Sequence, residues 1–86
     1  MPRLYVVDVP EFRPLVEAAL KRPDWKVTPA RKGYILIEAS GALEFSRREM
    51  QMKPALWYGM FTGGLDGEIA EWDRDTVRII GTNKPL

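Results

Sequence analysis

Eighty-six residues carrying 13 Lys+Arg against 12 Asp+Glu leave a net charge of +1, which gives no electrostatic reason to expect nucleic-acid or membrane-surface binding. The chain has neither cysteine nor histidine. That excludes disulfides, thiolate nucleophiles, Cys- or His-based zinc sites and any Ser-His-Asp or Cys-His catalysis, so no metal or cofactor is expected. With 45% hydrophobic and 29% charged residues, the composition fits one globular domain over 1–86, small enough that each large apolar side chain matters.

No run approaches the roughly 20 apolar residues that a membrane span requires. The start, Met1-Pro2-Arg3-Leu4, lacks the charged-then-apolar pattern of a secretory signal. A cytoplasmic location is therefore expected.

Leu4-Tyr5-Val6-Val7-Asp8-Val9 reads as a first strand, apolar on both faces and so placed away from an exposed edge. Pro10 ends it. A helix from Pro14 follows, with Arg13 held extended by the proline after it. Its buried stripe is Leu15, Val16, Ala19 and Leu20, with Glu17 and Lys21 paired on the outside. Pro23 closes it. Trp25-Lys26-Val27-Thr28 alternates as a strand, and Pro29 marks an edge position or a bulge at its end. Arg31-Lys32-Gly33 turns the chain into Tyr34–Ala39, the strongest strand signal and the one expected near the sheet centre.

The stretch 42–52 reads two ways. Ala42–Arg47 alternates as a strand with Leu43, Phe45 and Arg47 on one side, but it can also open a helix running through Met50 and Met52. A strand followed by a loop over 48–52 is preferred, because the pre-proline Lys53 breaks a helix.

Lys53–Gly64 is the most apolar and aromatic run. Pro54 suits a first helical position, and Gly63 or Gly64 suits the residue past a helix end. At helical spacing Leu56, Trp57, Met60 and Phe61 share one face, with Tyr58 on the flank and Ala55 and Gly59 opposite. Leu65-Asp66-Gly67 then turns into a hairpin of Glu68–Trp72 and Thr76–Ile80 across Asp73-Arg74-Asp75. Gly81–Leu86 reads as a frayed tail. The order β-α-β-β-β-α-β-β predicts an α+β fold: a mostly antiparallel sheet of about five strands with two helices on one face. The first β-α-β unit is expected to add a parallel pair.

The aromatic helix has two readings. It packs on the sheet, or it has more apolar surface than so small a sheet can cover. On the second reading Trp57, Tyr58, Met60, Phe61, Gly63 and Gly64 form a contact surface for a second copy of the chain, a protein partner or an apolar small molecule. Met50 and Met52 would add adaptable area to it. The glycine loop lacks the Gly-Lys-Ser/Thr ending of a phosphate cradle and follows a helix instead of preceding one. Arg31-Lys32, Arg47-Arg48 and Lys53 are expected to be solvated, and nucleic acid is not expected as a partner. Exposed carboxylate pairs such as Glu68 and Asp73 have nothing to raise an acid's pKa, so acid–base work by them is not expected. The leading expectation is a non-catalytic interaction domain, with a homodimer as one form.

One enzymatic alternative rests on Pro2. Removal of Met1 would expose a secondary amine at the head of a strand, and nearby cations such as Arg3 or Arg78 would lower its pKa toward neutrality. In Met1-Pro2 and the β-α order of its first twenty residues the chain resembles the tautomerase superfamily. Members of that family use an N-terminal proline as base on a β-α-β unit and work as oligomers. The resemblance implies Pro2 as a general base acting on a 2-oxo acid or similar enolisable compound. The short first helix and the strand meander after it depart from the family pattern.

Overall fold

Leu4 and Val6 are buried while Arg3 is exposed, and this alternation makes Arg3–Val7 (β1) a strand with one face in the core. The computed structural model describes residues 2–81. The predicted tail beyond Gly81, and the state of Met1, fall outside the described residues. β1 pairs antiparallel with Tyr34–Ala39 (β3) on one side and with the short Leu65–Asp66 (β5) on the other. Trp25–Pro29 (β2) pairs with the far side of β3, giving a sheet of order β2-β3-β1-β5. As the sequence indicates, β1 and β3 are interior and β2, with its Pro29, is an edge. No parallel pair forms among the described residues: β3 lies between β1 and β2, so those two strands run the same way without pairing.

A second antiparallel sheet, of order β4-β7-β6, is built from Leu43–Ser46 (β4), Thr76–Ile80 (β7) and Glu68–Trp72 (β6). The α+β class stands, but among the described residues seven strands in two sheets replace five in one. The reason is cover. Leu4, Ile37 and Ala39 need an apolar layer over them, and the helices are too short to supply it. Instead Leu43, Phe45, Val77 and Ile79 of the second sheet join them in one buried cluster with Met50, Met52, Trp57 and Met60. Trp25 and Phe45 meet edge to face across the two sheets, with ring centroids 5.3 Å apart.

Arg13–Leu20 (α1) follows a single 3-10 turn over Pro10–Phe12. Arg13 is helical, not extended: its N–H donates to the Pro10 carbonyl, and Pro14 lies in the first turn where no N–H is required. Leu15, Val16 and Ala19 are buried as expected, but Leu20, at the end of the helix, is 65% exposed. Glu17 pairs with Arg13 at 3.8 Å, not with Lys21. The ambiguous stretch uses both of its readings in turn. After β4, Arg47–Met50 (α2) makes one helical turn, opened by the Ser46 hydroxyl accepting from the Glu49 N–H. Met50, Met52 and Met60 are core residues and not the adaptable contact surface expected of them.

Gly67 carries the chain from β5 in the first sheet directly to β6 in the second. A Cβ at this position would sit 2.9 Å from the Ile80 carbonyl oxygen and 3.3 Å from the Pro2 ring, so a side chain has no room.

Candidate functional site

The aromatic run forms a helix over only Pro54–Tyr58 (α3), and looser turns continue it to Gly63. Trp57 is fully buried. Its indole N–H donates to the Asp73 carbonyl at 2.8 Å, so the one polar atom of the largest core side chain is satisfied by the β6–β7 turn. That turn is tightly built. One Asp73 carboxylate oxygen accepts from the Asp75 and Thr76 N–H groups, each at 2.8 Å, and the Asp73 N–H donates to the Thr76 carbonyl at 2.9 Å. The backbone donors of Asp75 and Thr76 hold the Asp73 carboxyl below its ordinary value of 3.8.

Arg47 grips the same turn from the other side. Its guanidinium donates to the Arg74 carbonyl at 2.5 Å, the Met52 carbonyl at 3.2 Å and the Asp75 carboxylate at 3.1 Å. A planar fork of donors suits this three-way contact, which a lysine ammonium could not reproduce. Arg47 therefore belongs to an internal brace and not to a solvated basic rim.

What this brace positions is an exposed aromatic cluster. Phe61 meets the Trp72 ring edge to face at 4.7 Å, and Tyr58 lies 5.8 Å from it on a tilted plane. Tyr58 is 54% exposed and Trp72 36%. The predicted set therefore divides. Tyr58 and Phe61 reach the surface, while Trp57 and Met60 belong to the core. Gly63 and Gly64 dock on β1: the Tyr5 N–H donates to the Gly64 carbonyl at 3.0 Å, and a Cβ on Gly63 would collide with the Tyr5 carbonyl. Their role is to let two backbones approach.

Trp72 and Ile69 complete the surface and were read from sequence only as strand residues. The register explains how they reach it. β6 shifts by one residue between Ile69 and Glu71, so Ile69 faces Ile79, Trp72 faces Val77, and Glu71 faces Arg78. A plain strand would put Ile69 and Glu71 on one side and Trp72 on the other. The bulge at Ala70 brings Ile69 and Trp72 to the core side of the sheet edge and turns Glu71 outward. The signal was present in Glu68-Ile69-Ala70-Glu71-Trp72, where apolar residues three apart do not fit an unbroken alternation. Every residue of β6 is exposed, and among the described residues β7 is its only partner strand.

Elsewhere, a cleft of about 410 Å³ opens between α1, β4 and α2, with Trp25, Phe45 and Met50 in its lining and Glu17, Lys21 and Glu49 at its rim. The Arg22 guanidinium lies 4.9 Å from the Trp25 ring centroid. Pro2 is buried, and its carbonyl accepts from the Ala39 N–H at 3.3 Å. Among the described residues no group of three or more His, Cys, Asp or Glu side chains is placed to hold a metal ion, and no helix is long and apolar enough to cross a membrane.

Comparison of the chain with family models, with curated proteins and with solved structures finds no match.

Proposed function

We propose that this chain is a small interaction module that associates with a second copy of itself or with a protein partner through Tyr58, Phe61, Trp72 and Ile69. The observation that carries this reading is the packing of Tyr58 and Phe61 against Trp72 at a sheet edge that pairs with no further strand among the described residues, beside the fully buried Trp57 whose indole holds the Asp73 carbonyl. Exposed aromatic area on a fixed support loses little conformational entropy on binding, which is why such rings dominate contact energetics. A photo-crosslinking residue at Tyr58 tests it in cells. Specific adducts at this position, and none at the exposed Glu11, are expected. A chain that crosslinks to nothing at position 58 and also sediments as a monomer at high concentration would defeat the reading.

Two other readings have their own tests. The cleft beside Trp25 has a volume within the range of small-molecule sites, and an apolar ligand there would raise the melting temperature. The tautomerase-like alternative requires Pro2 as base and predicts enol–keto activity that is lost in Pro2→Ala. The burial of the Pro2 ring weighs against it.

A further inference from the structure

Residues 54–73, which contain α3, β5 and β6, include four carboxylates (Asp66, Glu68, Glu71 and Asp73) and no lysine or arginine. The rest of the chain is correspondingly basic. The register of β6 sorts this segment into two faces. Glu68 faces Ile80 and Glu71 faces Arg78 on the outer side of the sheet, whereas Ile69 and Trp72 face Ile79 and Val77 on the inner side, where Tyr58 and Phe61 stack. Arg78 is already paired with Glu44 at 3.2 Å. Between the two rows runs the edge of β6 that no strand occupies among the described residues.

We infer that this edge accepts an extended segment of a partner protein in which basic and apolar residues alternate. The incoming backbone adds a strand to β6. Its alternate side chains then fall on opposite faces: lysine or arginine against Glu68 and Glu71, and apolar residues against Ile69, Trp72, Tyr58 and Phe61. A cation that strays to the inner side meets aromatic faces, which also attract it. A second copy of β6 is the poorer occupant. Antiparallel self-pairing would set glutamates against glutamates, and like charges facing each other across strands are destabilising. The inference rests on the interaction-module reading and narrows it to one class of partner.

The test uses the full chain, labelled with nitrogen-15, and three blocked heptapeptides: alternating Lys and Val, alternating Glu and Val, and the lysine peptide reordered so that its lysines are contiguous. The alternating lysine peptide is expected to shift the amides of residues 68–72 and the Trp72 indole. The glutamate peptide should do nothing, and the reordered one should bind more weakly. Glu68→Gln with Glu71→Gln, both at exposed positions, should weaken binding of the alternating lysine peptide roughly fivefold. Equal binding of all three peptides, or shifts confined to other residues, overturns the inference. If none binds while Tyr58 still crosslinks a partner, this inference fails and the module reading stands. If Tyr58 crosslinks nothing as well, both fall.

Discussion

The indole N–H of Trp57 donates to the carbonyl of Asp73 across 2.8 Å, joining the last turn of α3 to the turn of the hairpin that bears Trp72. This bond fixes where the exposed rings sit relative to the edge strand, because Tyr58 adjoins one end of it and Trp72 the other. Trp57→Phe keeps most of the apolar volume but removes the donor and leaves a gap. The variant is expected to lose about 2–4 kcal/mol of stability. Urea unfolding measures it, and a loss below about 0.5 kcal/mol would show that the bond contributes little.

Acid should act on the same hairpin. The Asp73 carboxyl is held below its ordinary value by the Asp75 and Thr76 N–H groups, so the folded chain binds its proton less readily than the unfolded chain does. Its contribution to stability is complete above 3.8 and is lost as pH falls through the lower folded-state value. Asp73→Asn, which cannot ionise, lacks this component. Thermal melts from about pH 7 to about pH 2 should show the lead of the parent protein over the variant shrinking with acid. A lead independent of pH contradicts the assignment.

Two glycines make a matched pair. A Cβ on Gly63 collides with the Tyr5 carbonyl, whereas a Cβ on Gly41 meets nothing within 4 Å. Gly63→Ala is expected to cost about 1–3 kcal/mol, since backbone and not a flexible side chain would have to move. Gly41→Ala should be neutral or stabilising by up to about 1 kcal/mol. Chemical denaturation of the two variants decides it, and equal effects would count against the close approach.

Trp72→Ala separates folding from binding. The lost ring contacts with Phe61 and Tyr58 amount to about 1–2 kcal/mol at a half-exposed edge. Loss of partner crosslinking at position 58 should be near complete. Unaltered crosslinking in a folded Trp72→Ala protein would place the contact surface elsewhere.

Much of the fold was legible in the chain because its signals are local. The apolar runs at Leu4–Val7 and Tyr34–Ala39, the turn at Gly33 and the Asp73–Asp75 turn each announce strands and their hairpin partners. The division into two sheets was not legible. It depends on whether β4 pairs with β3 across Ser40-Gly41 or with β7 some thirty residues later, and a short alternating segment such as Leu43–Ser46 suits either. The aromatic surface was half legible. Helical spacing identified Tyr58 and Phe61, but only the pairing of β6 with β7 shows that Trp72 joins them, and only the packed core shows that Trp57 and Met60 turn inward.

A single residue, Gly67, stands between β5 of one sheet and β6 of the other, with Ile80 and Pro2 both crowding the place a side chain would take. Neither layer can shear or twist without dragging its neighbour through that joint, and residues of both sheets meet with the helices in one buried cluster. Melting should therefore run as one concerted event with no half-open species. The rings around Trp72 then present one fixed surface until the whole molecule comes apart.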